Sequence, residues 1–124
     1  MSASTQKKRA GKRPREHPGA NQVRLVGRIS ADPQERLLPS GDVVWTFRVI
    51  VTRPDGVSRS PVDALDCAAW SARARRSASS WHRDDVVEVE GAVRRRFFRT
   101  GSGAASRVEI EVSRGRVVRR ATSG

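Results

Sequence analysis

From Asn21 onward, apolar side chains recur at every second position, the period of a β-strand with one face buried. In Gln22 to Ile29, the residues Val23, Leu25, Gly27 and Ile29 alternate with Gln22, Arg24, Val26 and Arg28. Val43 to Thr52 repeats the pattern, with Trp45, Phe47, Val49 and Val51 on one face and Thr46, Arg48 and Ile50 opposite. Asp63 to Trp70 sets Leu65, Cys67 and Ala69 against Ala64, Asp66, Ala68 and Trp70. The fourth strand, Val86 to Phe98, gathers Val87, Val89, Gly91 and Val93 on one face and Arg94, Arg96 and Phe98 on the other. Phe97 then points away from Phe98, which predicts that one of the two is buried. A fifth strand places Val108, Ile110 and Val112 inward and Glu109 and Glu111 outward.

The connections are legible from their breakers. Asp32 to Gly41 reads as a loop punctuated by Pro33, Pro39 and Gly41. Pro54, Asp55 and Gly56 make a turn that runs on to about Pro61, and Thr100 to Ser106 is a Gly-Ser loop. Ser71 to His82, rich in Ala and Arg, predicts a helix whose end Trp81 pins to the core. Asp84 and Asp85 are read as the turn before strand four rather than as a catalytic pair. Three strands, a helix and two strands in about 100 residues predict an all-β, five-stranded Greek-key β-barrel. The helix lies between strands three and four, an order that matches an OB-fold. Composition alone does not separate it from other small β-barrels.

Charge sets the class of partner. The 124 residues carry 25 Lys and Arg against 13 Asp and Glu, a formal net charge of +12. Residues 1–20 hold Lys7, Lys8, Arg9, Lys12, Arg13 and Arg15 against Glu16 alone. With no large apolar residue there except Met1, this stretch is expected to be a disordered basic arm. The folded domain is expected over 21–120, with a short tail at 121–124. Beyond the arm every cation is arginine, which a high-GC genome explains, but codon bias does not explain the net sign. No run of about 18 apolar residues spans a membrane, and no apolar segment follows the basic start as a secretory signal requires. One cysteine, Cys67, makes no internal disulfide and suits a reducing compartment. A small binder of polyanions is the class that remains.

Several residues then form a pattern. Asn21 to Gly41, N-Q-V-R-L-V-G-R-I-S-A-D-P-Q-E-R-L-L-P-S-G, resembles the opening of bacterial single-stranded DNA-binding proteins. T-F-R-V (Thr46 to Val49), C-A-A-W (Cys67 to Trp70) and V-E-V-E-G-A-V-R-R-R-F-F (Val87 to Phe98) follow in the family's order. The Cys and Trp of the third strand look most like the high-GC Gram-positive branch. The resemblance implies an OB-fold that coats single-stranded DNA in replication, recombination or repair. Its mechanism is stacking of bases on aromatics and pairing of phosphates with arginine. It further implies a cytoplasmic, nucleoid-associated homo-oligomer, a tetramer or a dimer, with Val23 to Ile29 as the pairing edge.

Carried over by position, Trp70 and Phe98 match two of the family's stacking aromatics. Alternation places Arg94 and Arg96 beside Phe98, and Arg48, Arg53, Arg59, Arg73 and Arg99 are further candidate phosphate contacts. By pattern alone Trp70 is equally a core aromatic; the resemblance turns it toward DNA. Two usual platforms are absent: Ala64 stands where a stacking aromatic is common, and Arg53 to Pro61 contains none. The loss of two platforms costs about 2–6 kcal/mol of stacking unless arginines compensate. Asp66, on the same face, repels phosphate. The chain stops at R-R-A-T-S-G, without the acidic recruiting tail of replicative members, and the expectation is a specialised paralogue or a mobile-element version rather than the housekeeping protein.

The remaining candidates are structural. Trp45 and Trp81 are assigned to the core, and Cys67 is an inert apolar filler. His17 and His82 are too few and too distant for a metal site, so no metal, cofactor or small-molecule substrate is expected. Nothing pairs a nucleophile with a base, so an enzyme is not expected either. Two alternatives stand beside the lead: a general RNA or nucleic-acid binder driven by the arm, and an OB-fold assembly module that has lost DNA binding.

Overall fold

The alternating segments become strands because each has one face to bury and a turn signal at each end. The computed structural model describes residues 17–54 and 61–122. Most of the basic arm, the loop carrying Asp55, Gly56 and Arg59, and the last two residues lie outside the described residues. The elements are β1 (Val23–Ile29), β2 (Gln34–Leu37), β3 (Val43–Thr52), β4 (Val62–Ala69), α1 (Ala72–Ala78), β5 (Val86–Thr100) and β6 (Gly103–Arg119). β1 pairs β5 from Val23 to Arg28 and meets β3 at Arg28 and Ile29. β5 pairs β6, β6 runs parallel to β4 at Cys67 and Ala68, and β4 pairs β3. These five strands close a barrel with one helix, the OB-fold that the element order implied. β1 can cross β3 because residue 27 is glycine: a Cβ there would stand 2.2 Å from the Ile50 carbonyl oxygen.

The barrel is filled by the predicted inward faces. Ile29, Phe47, Val49, Val87, Val89 and Ile110 are buried, and Trp81 meets Phe47 edge-on with ring centroids 5.4 Å apart. Trp45 packs half-buried against this core, and Cys67 lies within it. Asp84 takes a left-handed φ of 71°, the turn expected before the fourth predicted strand. Asp85 is 2% exposed, yet its carboxylate accepts from the His82 and Ala121 backbone N–H groups, each at 2.8 Å, and from Arg120 at 3.0 Å. It is the buried clasp between the α1–β5 turn and the end of β6.

Four expectations change. The segment Asp32 to Gly41 is not one loop: Gln34–Leu37 pairs β3 as an edge strand, closed by a Leu38–Asp42 turn with Gly41 at φ 92°. All four of its side chains are exposed, so no apolar period marks it. The helix is shorter than Ser71 to His82. Ser71 caps its start by accepting from the Ala74 N–H at 3.1 Å. At the other end the Ser79 and Ser80 hydroxyls bond the Arg76 and Ser77 carbonyls. Ser80 and Trp81 N–H groups reach only three residues back, and the helix stops. The Thr100 to Ser106 loop shrinks to a two-residue turn at Gly101 and Ser102, because Thr100 already pairs Gly103.

The fourth change follows from the third. β5 and β6 continue past the barrel as a two-stranded ribbon with no third strand behind it among the described residues. Neither Phe97 nor Phe98 is therefore buried; they are 76% and 44% exposed. Val108, expected inward, is 48% exposed for the same reason. Glu109 faces away from the barrel interior as predicted but is only 4% exposed, because arginines and Trp70 cover it.

Candidate nucleic-acid interface

Trp70 links the end of β4 at Ala69 to the helix cap at Ser71, so its backbone is flanked by both elements. The Arg75 guanidinium, one turn into α1, donates to the Trp70 carbonyl. On the ribbon, pairing of Arg94 with Glu109, Arg96 with Arg107 and Phe98 with Ala105 sets these residues on one face. That face turns toward Trp70. The Arg96 guanidinium carbon lies 5.2 Å from the indole centroid, a cation–π contact, and the indole N–H donates to Glu109 at 3.4 Å. Trp70, Phe97 and Phe98 line a groove of about 390 Å³ with Leu38, Val44, Arg36, Arg96 and Arg107.

A second groove of about 350 Å³ adjoins it and shares Arg36, Thr46, Arg107 and Glu109 with it. Arg48 and Asp66 line that stretch, 2.8 Å apart in an exposed ion pair. Asp66 therefore meets phosphate with its charge already matched. Cys67 also borders this groove, but burial, then the nearby Asp66 and Glu109 charges, push its thiol up to about 12. It carries no thiolate near neutral pH, as its reading as an inert filler requires.

Ion pairing sorts the arginines. Arg94 bonds Glu111 at 2.8 Å, and Arg96 bonds Glu109 at 3.0 Å and Glu111 at 3.3 Å. Arg53 pairs Asp63 at 2.7 Å, away from the groove. Arg73 sits on α1 beside Arg114 and Arg116 at a different cleft, and Arg99 lies near the ribbon tip. Arg59 is outside the described residues. The structure thus brings Trp70, Phe98 and Arg96 together, sets Arg48 in the adjoining groove and Arg94 beside Arg96, and leaves Arg53, Arg73 and Arg99 apart.

Sequence reading missed Arg36, Leu38, Phe97, Arg107 and Glu109. Arg36 carries no ion-pair partner among the described residues and is the groove's uncommitted cation. Arg107 and Glu109 were findable only by extending the hairpin register through the Gly101–Ser102 turn. Arg36 and Leu38 sit on or beside a strand with no pattern of its own.

Among the described residues, no helix is long and apolar enough to cross a membrane. Three relatives match the chain over 67% of its length. A Listeria innocua protein described as single-stranded DNA-binding protein 3 is 33% identical over 85 residues, which is 53% of its own length. The single-stranded DNA-binding protein of Oceanobacillus iheyensis is 32% identical, with 53% of it covered. Single-stranded DNA-binding protein A of Bacillus subtilis is 29% identical, with 49% covered. The chain spans about half the length of the curated relatives it matches. These relatives are low-GC Gram-positive proteins, so the likeness to the high-GC branch stays an expectation. The model of the single-strand binding protein family matches residues 20–118, the whole barrel and its ribbon. A closed barrel of the expected order, a match across nearly all of it and a relative above 30% identity agree, and the chain belongs to the single-strand binding protein family.

Proposed function

We propose that this chain binds single-stranded DNA without sequence preference and without covalent chemistry, coating exposed strands in replication, recombination or repair. One observation carries the reading: exposed aromatics and arginines line one groove, with Trp70 and Phe98 beside Arg36, Arg96 and Arg107. Unpaired bases offer π faces to such a surface, and every base has one, so the binding tolerates any sequence. Trp70 and Phe98 are the stacking platforms. Arg36 contacts phosphate first, Arg48, Arg94, Arg96 and Arg107 share their charge with carboxylates, and Arg53, Arg59, Arg73 and Arg99 are further candidate phosphate contacts. A cytoplasmic, nucleoid-associated location follows from the ligand.

The partner of the protein half of the complex is a second copy. β1 is paired to β5 from Val23 to Arg28 but to β3 only at Arg28 and Ile29, so among the described residues its other edge from Val23 to Gly27 has no strand partner. Light scattering that returned a monomer at micromolar concentration would refute this assembly.

Titration of tryptophan emission with oligo-dT, and with a duplex of equal length, across a salt series tests the function. The expected result is quenching by the single strand that outlasts moderate salt, with little response to duplex. Equal, weak, salt-labile binding to both forms would leave only charge and refute the stacking site.

A further inference from the structure

We propose that Glu109 is a positioning residue of the groove, an internal anion that occupies Arg96 and Arg107 and so makes the site select unpaired bases over phosphate charge. The inference rests on the single-strand reading above. Glu109 is 4% exposed, and a carboxylate taken from water persists only when paired. It has three partners: the Trp70 indole N–H at 3.4 Å, Arg96 Nε at 3.0 Å and Arg107 Nη2 at 3.7 Å. The same contacts set the indole's orientation and hold the Arg96 guanidinium over one ring face, 5.2 Å from its centroid. Glu111, more exposed, holds Arg94 and the other arm of Arg96.

A phosphate entering this groove finds arginines whose charge is already shared with buried carboxylate. It gains less than it would from free guanidinium groups. A single strand offsets the deficit by stacking bases on Trp70 and Phe98. A duplex, whose bases already stack on each other, has only phosphates to offer. Glu109 therefore penalises the duplex more than the single strand, and it does so through Arg96, Arg107 and Trp70 rather than by touching DNA.

The test is Glu109→Gln, which keeps the side-chain shape and an oxygen acceptor for the indole N–H. Glu90→Gln is the control: it removes the same charge from a carboxylate paired with Arg114, outside the groove. Affinities for oligo-dT and for duplex are measured across a salt series. Glu109→Gln is expected to steepen the log–log salt slope by about 0.7 for the single strand and about 0.9 for the duplex, one freed phosphate contact each. Preference for the single strand should fall. Slopes and preference equal to the parent's, or shifted as much by Glu90→Gln, overturn the proposal. Should Glu109→Gln lose its near-ultraviolet circular dichroism, Arg96→Gln and Arg36→Gln decide instead. Arg96, held by Glu109, should flatten the slope less than Arg36, and equal flattening overturns the proposal. Heparin elution separates this inference from the function: if the parent shows no single-strand preference, the functional reading fails. Later elution of Glu109→Gln than of Glu90→Gln still supports the anion's role, and equal elution overturns it.

Discussion

Replacing Trp70 by alanine measures what the groove gains from stacking. One face of the indole lies under Arg96, whose guanidinium carbon is 5.2 Å from the centroid, so the ring has one face left for a base. The single-base figure therefore applies, about 1–3 kcal/mol, or about 5- to 150-fold in Kd. Trp70 is uncharged, so the slope of log affinity against log salt should not move. Folding should survive, because Trp70 stands outside the buried core and Glu109 keeps Arg96 and Arg107 when the indole N–H is gone. Anisotropy of a labelled oligo-dT is the assay, since the variant has lost the reporting indole, and a thermal melt checks the fold. A Kd within twofold of the parent, with the fold intact and the parent binding single strands preferentially, would refute the placement of Trp70 as a platform. A change in salt slope as large as one phosphate contact would instead mean that the side chain acts by ordering arginines.

Gly27→Ala should lower stability by about 1–3 kcal/mol, read as a denaturant midpoint, because its Cβ would stand 2.2 Å from the Ile50 carbonyl oxygen where β1 crosses β3. Acid should unfold the chain through two carboxyls that titrate below their ordinary range. Burial pushes Asp85 up, but the Ala121 and His82 N–H groups and Arg120 outweigh it; Glu88 is lowered first by its hydrogen bond from Arg24, with Arg116 adding to it. Since the unfolded chain takes up these protons first, the stabilisation is complete above the ordinary carboxylate range and is lost as pH falls through the folded values. Melts from pH 7 to pH 2 check this, and Asp85→Asn should flatten the profile. Cys67, its thiol pushed up to about 12, should resist iodoacetamide at pH 8 while folded and react once denatured, by mass spectrometry.

The period of two in Val23–Ile29, Val43–Thr52 and Val86–Val93 determined the strands, because any other geometry would expose half of those apolar side chains. The turn at Pro54 and the helix beginning at Ser71 divided the strands into a recognisable order, and that order with the quoted motifs was enough to reach the family. The local sequence also carried Trp81 and Phe47 into the core and left Trp70 undecided.

Tertiary structure decided the rest. Gln34–Leu37 became a strand because β3 offered it an edge, a neighbour its four exposed side chains could not announce. The ribbon beyond Val93 kept its pairing where the barrel had ended, so Phe97, Phe98 and Val108 stayed exposed although alternation alone called for burial on one face. Glu109 was buried by the side chains of Trp70, just after β4, and of Arg96 on β5, 39 and 13 residues away in the chain. Whether an arginine is free to meet a phosphate depends on which carboxylate folds up beside it. That is a property of register between strands distant in sequence, and a single strand's pattern does not contain it.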